Sequence, residues 1–260
     1  MLDKTRKKSS SIQYRESRIQ YQKFREKTMI LEVKNLASGY QNKRVLQGIS
    51  FGLEDGEIVG AIGHNGAGKT TLLKTLFGLL PPWEGQVFFR NHEITGRKPG
   101  SNVGEGIAYM PQGQGLFPDL TVMENLEISN FGLDPETLKK RSSHVFELFP
   151  ILEERKKQRA GTLSGGEQRM LGVGITLMHE PTLMFLDEPS LGLAPRIVHL
   201  VMENISKINE RFKNSILLVE QNFEQVKRVA KKIMVLKLGQ IVFSGILDLS
   251  MDKRELWKYF

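Results

Sequence analysis

The chain has 260 residues, of which 40% are hydrophobic and 25% charged, enough for one large α/β domain or a core with a smaller appended subdomain. It contains no cysteine, which excludes disulfides and thiolate metal sites, and no apolar run approaches the roughly 18 residues of a membrane span. The net charge of +8 raises a nucleic-acid reading, but residues 1–29 carry nine Lys/Arg against three acids, so only +2 belongs to the remainder.

Residues 1–28, rich in Lys, Arg, Ser and Gln, read as a basic, disordered extension without a secretory signal. Two sharper readings stand beside it: an arm attracted to anionic headgroups, or a translation start at Met29. From Ile30 the strand signals ILEVKNL and VLQGISFGL flank a turn, SGYQNKR, that carries Tyr40. EIVGAI (Glu57–Ile62) is an apolar strand and TTLLKTLFGLL (Thr70–Leu80) an amphipathic helix. Between them runs GHNGAGKTT, in which Gly63, Gly68, Lys69 and Thr70 complete the G-x-x-x-x-G-K-[ST] phosphate-binding loop. The glycines let successive N–H groups of Gly63, His64, Asn65, Gly66, Ala67, Gly68, Lys69, Thr70 and Thr71 curl around a polyphosphate. The following helix aims its positive end at the same charge. Lys69 reaches the terminal phosphates and the Thr70 hydroxyl takes a Mg²⁺ position. A nucleoside triphosphate is the expected ligand.

Downstream, PPWEG (Pro81–Gly85) reads as a breaker, QVFFR as a strand, ITGRKPGSNVGEG as a loop, and GIAYM (Gly106–Met110) as a strand ending at Pro111-Gln112. Helical spacing over about 119–160 marks a subdomain inserted between core strands, which closes at LSGGEQ (Leu163–Gln168). A helix to His179 comes next, then the strand TLMFLDE (Thr182–Glu188), a helix over Arg196–Arg211, the strand SILLVEQ (Ser215–Gln221), a helix over Gln225–Lys231, and a final strand pair turning at Leu238-Gly239. A closing helix is expected over Asp252–Phe260. Strands alternating with helices predict a mainly parallel sheet covered on both faces.

The strand Thr182–Glu188 delivers Asp187 and Glu188 to its polar end. Asp187 is placed to hold Mg²⁺ and Glu188 to polarise an attacking water. The hexapeptide LSGGEQ, together with the phosphate loop, resembles the signature of ATP-binding cassette (ABC) ATPases over about Met29–Ser250. That resemblance implies an α/β cassette with a mainly parallel core sheet, an antiparallel β subdomain and an inserted helical subdomain at about 113–165, spanning residues 29–250, with 251–260 as a tail. Ser164, Gly165 and Gly166 open a second helix N-terminus. In the family this surface faces the γ-phosphate held by a partner subunit, so a second ABC ATPase subunit, identical or related, is implied.

The resemblance further implies that Tyr40 stacks on adenine, that Gln112 senses Mg²⁺ and the attacking water, and that Ser190–Pro195 crosses to the partner. Gln221 stands where most members place a histidine; it hydrogen-bonds but cannot become cationic near neutral pH. The expected catalytic set is Lys69, Glu188 and Gln221, with Thr70, Gln112 and Asp187 toward the metal. DEPSLGLAP, LVEQN and RAGTLSGGEQRML resemble the ATP-binding subunits of branched-chain amino acid importers, a group that includes urea and short-chain amide importers. The implied partners are two membrane permeases and, indirectly, a solute-binding protein, with this chain peripheral at the cytoplasmic face of the inner membrane; nucleic acid is not expected. Soluble ABC ATPases acting on ribosomes or DNA usually carry paired cassettes or long coiled coils, neither of which this sequence shows, and a small-molecule kinase has no use for LSGGEQ. The chain departs from the family at Gly174–Leu177 (GITL for a pattern such as ARAL), which removes an arginine, and in its leader.

Overall fold

A computed structural model describes residues 28–247 apart from Gln114 and Phe131. The expected extension, apart from Thr28, and the expected C-terminal helix therefore lie outside the described residues.

The first sheet contains β1 (Met29–Tyr40), β2 (Lys43–Glu54), β4 (Pro82–Phe89) and β5 (His92–Glu93), all antiparallel, in the order β2-β1-β4-β5. The second contains β3 (Ile58–Ile62), β6 (Ile107–Met110), β7 (Leu183–Asp187), β8 (Ser215–Glu220), β9 (Lys232–Lys237) and β10 (Gln240–Ile246) in the order β10-β9-β3-β8-β7-β6. Only its β10–β9 pairing is antiparallel. Every residue of β3, β7 and β8 is buried, as a parallel sheet covered on both faces requires. Side chains alternate between those faces. Ile216 and Leu218 of β8 join one core with the helical subdomain, whereas Leu217 and Val219 join a second core beneath the antiparallel sheet.

The helices are α1 (Lys69–Phe77), α2 (Pro99–Gly104), α3 (Val122–Ile128), α4 (Pro135–Leu148), α5 (Pro150–Glu154), α6 (Gly165–Leu177), α7 (Pro195–Phe212) and α8 (Phe223–Lys227). Each boundary has a local cause. Thr121 with Glu124, and Ser164 with Glu167, form capping boxes at the starts of α3 and α6. In α7, proline occupies the first turn and Val198, Val201, Met202, Ile205 and Ile208 lie buried at three- and four-residue spacing.

Three expectations are corrected. The stretch Pro81–Gly85 is not a simple breaker, because β4 begins at Pro82. Proline is tolerated as a first strand residue. The positive φ of Gly85 (88°) lies beside a register shift opposite Lys34 and Ala37, so the glycine marks an irregularity in a continuing strand. The loop expected at Ile94–Gly106 contains α2, begun by Pro99 and tied to the end of α1 by Asn102 Nδ2 donating to Phe77 O at 2.9 Å. The first strand runs on to Tyr40, narrowing the hairpin turn to Gln41-Asn42 because Tyr40 pairs with Lys43.

The GITL departure has a packing counterpart. A Cβ on Gly174 would come within 2.6 Å of Val145 Cγ1, so α6 and α4 approach closely there. Ile175 packs partly buried against the core. The end of α6 receives its basic group from α4 instead: Arg141 donates to Met178 O at 2.9 Å and pairs with Glu180 at 3.0 Å. Gly174→Ala is expected to destabilise the fold by about 1–3 kcal/mol through overpacking, read as a lowered denaturant midpoint at unchanged slope. A midpoint equal to the parent's would show that the two helices separate without cost.

Candidate active site

Strand β3 ends at Ile62, and the chain turns through Gly63–Gly68 into α1, with Gly68 as the left-handed N-cap (φ 105°). Lys69 is consequently folded back over its own loop. Its Nζ donates to the carbonyls of Gly63 (2.8 Å) and His64 (3.2 Å) and pairs with Glu188 Oε1 at 3.0 Å. Both side chains of that pair are almost fully buried, 4% and 3% exposed.

Strand β7 brings its C-terminal acids to this loop. Asp187 Oδ1 accepts from Thr70 Oγ1 and Oδ2 from Tyr109 OH, each at 3.1 Å. Glu188, in the left-handed region (φ 47°), leaves the strand direction. Its Oε2 accepts from Gln112 Nε2 and from Gln221 Nε2, each at 3.0 Å. The Glu188 carboxylate is thus gripped by one ammonium and two amides delivered from α1 and from the ends of β6 and β8.

Burial pushes the Asp187 carboxyl above the usual range, the Glu188 charge adding to this while the Thr70 and Tyr109 hydroxyls oppose it. Burial and the neighbouring Asp187 likewise raise the Tyr109 phenol. The Glu220 carboxyl is raised by burial, against the hydrogen bond that its Oε1 accepts from Ser190 N at 2.9 Å. A carboxyl raised in the folded state favours folding below its unfolded value and loses that contribution as pH rises through its folded value. Glu220→Gln keeps the acceptor for Ser190 N but cannot ionise. Its thermal midpoint relative to the parent should therefore improve with increasing pH above the ordinary carboxylate range, near pH 4, in scans without nucleotide. A difference independent of pH would contradict the assignment.

A cleft of about 840 Å³ opens over the loop, lined by Asn65, Gly66, Gly68, Lys69, Thr70 and Thr71 below, Gln112 and Glu188 at one side, and Tyr40, Lys43 and Arg44 of the β1–β2 hairpin at the other. Tyr40 is 42% exposed there, a flat face available to a ring. Arg44 is held by an ion pair with Glu84. Asp187 lies beneath the cleft through Thr70, and Gln221 joins it through Glu188. The His64 side chain is exposed, and its carbonyl serves Lys69; Gly63 contributes its carbonyl in the same way. The Ala67 side chain is buried.

Ser164, Gly165 and Gly166 stand apart. They do not line this cleft; Ser164 and Gly165 are exposed at the start of α6, and Ile197 sits close enough to exclude a side chain at Gly166. Ser190–Pro195 begins buried at Ser190, with Leu191 exposed. One chain therefore assembles the loop, the acids and both glutamines, but leaves Ser164 and Gly165 exposed outside that cleft.

Among the described residues no cluster of three or more His, Cys, Asp or Glu could hold a metal by itself. The paired oxygens of Thr70 and Asp187, the latter buried beside neutral hydroxyls, fit Mg²⁺, which takes one or two protein oxygens and completes its shell with water and phosphate. Tyr109, Lys43 and Arg169 also stand in or beside the site without a local sequence signal. Tyr109 lies in an ordinary strand pattern, Lys43 is a turn-side lysine, and Arg169, directly after LSGGEQ, reads as one more charge in a helix.

Comparison with known proteins agrees with this geometry. The family model described as ABC transporter matches residues 46–191. A probable branched-chain amino acid transport ATP-binding protein LivF of Archaeoglobus fulgidus is 37% identical over 88% of this chain and 97% of its own. The high-affinity branched-chain amino acid transport ATP-binding protein BraG of Pseudomonas aeruginosa is 41% identical over 82% and 91%, respectively. Among solved structures, a nucleotide-free ATP-binding cassette from an ABC transporter superposes with a TM-score of 0.79 at 27% identity, covering 89% of this chain and 99% of that one. The ADP conformation of another such cassette gives 0.76 at 28%, covering 84% and 91%.

Proposed function

Because this chain belongs to the ABC transporter family of ATP-binding cassettes, we propose that it is the ATP-hydrolysing subunit of an importer for branched-chain amino acids. The observation that carries the chemistry is Glu188, held by Lys69, Gln112 and Gln221 at the mouth of a phosphate-binding loop. The solute class rests on the two relatives named for branched-chain amino acid transport, each matched over at least nine-tenths of its length.

In this reading Tyr40 stacks on the base, and the N–H groups of the loop and of the start of α1 hold the phosphates. The γ-phosphate oxygens draw Lys69 from Glu188, exchanging a carboxylate partner for a phosphate one. Glu188 Oε1 then accepts a proton from water as the water oxygen bonds to the γ-phosphorus and the bond to the ADP oxygen breaks. Gln112 and Gln221 orient that carboxylate, and Gln221 acts as a neutral hydrogen-bonding group. Thr70 and Asp187 would hold Mg²⁺, which supplies charge neutralisation on the phosphate oxygens when bound.

Ser164–Gly166 serve the nucleotide of a second cassette, which the exposure of Ser164 and Gly165 at the start of α6 permits, so turnover requires a dimer. Phosphate bound between two cassettes links hydrolysis to their closure and to two membrane permeases. Among the described residues no helix is long and apolar enough to cross a membrane, and attachment at the cytoplasmic face comes from the permeases. The test is ATPase activity in proteoliposomes with the membrane subunits that co-purify with the tagged chain. Binding protein loaded with leucine, isoleucine or valine should stimulate turnover. Stimulation by urea- or amide-loaded protein alone would overturn the solute assignment and favour the related importers of those compounds.

A further inference from the structure

We propose that Arg169 is a positioning residue that holds Gln112 against Glu188 by gripping the Gly113 carbonyl; this rests on the reading of Glu188 as the base. Arg169 lies in the second turn of α6, five residues after Ser164, and is 8% exposed. Its Nη1 donates to Gly113 O. Gly113 follows Gln112, at the point where the chain has left β6 and departs into the helical insert; Arg169 stands just beyond the point where that insert returns. The guanidinium thus fastens the outgoing crossing to the returning one.

The electrostatic setting explains why an arginine can sit there. Burial disfavours its charge and lowers the guanidinium below its ordinary range, and the carboxylates of Glu220, Asp187 and Glu188, in that order, partly offset this. A buried cation placed for stability alone is commonly no better than an apolar side chain of similar volume. Here its hydrogen bond goes to the backbone beside Gln112. The Gln112 side chain is joined to Glu188 Oε2, but the residue itself is exposed and lies beyond the paired end of β6. The Gln112 backbone is directed at Asp187 and the clasp at Gly113 fixes the residue from its other side; without it the amide loses its fixed approach to the carboxylate. Arg169 does not touch the reacting atoms; its effect passes through Gln112.

The test is a double-mutant cycle on the full chain in its assembled transporter, with Arg169→Met and Gln112→Ala, reading kcat, KM for ATP and binding of a fluorescent ATP analogue. Gln112→Ala should lower kcat. Arg169→Met should lower kcat by up to about 10²-fold, the cost of a misplacement of roughly 1 Å caused from outside the reacting groups, with KM and analogue affinity unchanged. The double variant should be no slower than Gln112→Ala. Multiplied losses, or a parental kcat in Arg169→Met, would overturn the inference. If Arg169→Met does not fold, Arg169→Lys, which keeps the charge and one donor, carries the same cycle. A smaller loss that disappears in the Gln112→Ala background supports the clasp, and any other pattern rejects it. The underlying reading fails separately: parental turnover in Glu188→Gln removes the base, whereas slow Glu188→Gln with parental Gln112→Ala removes only the role of Gln112 and with it that of Arg169.

Discussion

Glu188→Gln is expected to reduce ATP turnover by about 10²–10⁴-fold, the usual contribution of a positioned general base, while ATP still binds. The substitution keeps the shape and removes the proton-accepting charge. It also has a structural consequence specific to this site. Lys69, Gln112 and Gln221 all donate to Glu188, and an amide there offers one accepting and one donating end. At least one contact must be lost, and Lys69 keeps only the carbonyls of Gly63 and His64. Breaking a buried ion pair by removing one partner commonly costs about 3–5 kcal/mol, and the remaining carbonyls place this case toward the lower end. Saturating ATP should narrow the stability deficit, because phosphate becomes the partner of Lys69 and binding to the folded state adds its own stabilisation. Single-turnover kinetics and thermal scans with and without nucleotide check both halves. Parental hydrolysis would remove Glu188 from the role of base; a deficit unchanged by ATP would show that Lys69 does not change partners.

Lys69→Ala should remove the principal cation from the loop and with it ATP binding at micromolar concentration. Truncating one partner of a buried, hydrogen-bonded charge pair costs about 2–5 kcal/mol, which corresponds to roughly 30- to 5,000-fold in affinity. The nucleotide-free protein should also lose stability, since Glu188 would retain only two neutral donors at 3% side-chain exposure. Equilibrium binding of a fluorescent ATP analogue, with a thermal scan as the folding control, decides the matter. A folded Lys69→Ala protein that keeps micromolar affinity would exclude this loop as the phosphate site.

These two outcomes rest on residues that could be singled out before any fold was known. Lys69 belongs to a loop whose glycines and helix start have a local purpose, and Asp187-Glu188 end an apolar strand of unmistakable pattern. The layered fold was legible for the same reason: IVGAI, LMFLD and SILLVE are short, continuous apolar runs separated by amphipathic helices, as a doubly covered parallel sheet demands. Legibility failed where tertiary pairing overrode a local signal. Pro81–Gly85 contains two prolines and a glycine, yet β1 recruits most of it as a strand. Gly- and Pro-rich Ile94–Gly106 contains α2, whose Asn102 is held by the end of α1. In the GITL stretch, Val145 from another helix gives Gly174 its packing constraint, and Arg141 serves the helix end.

The order of residues along the chain determined the phosphate loop, the acidic strand end, the LSGGEQ helix start and the alternation of strands and helices. Each depends on backbone conformation and hydrophobic period over a few neighbouring residues. Tertiary structure decided which distant groups meet. It joined Lys69 to Glu188, set Gln112 and Gln221 on one carboxylate oxygen, brought Tyr109 to Asp187 and Arg169 to Gly113, and left Ser164 outside the cleft. Those meetings follow from sheet register and helix packing, which bring residues up to 119 positions apart to hydrogen-bond or ion-pair distance and which no local spacing encodes.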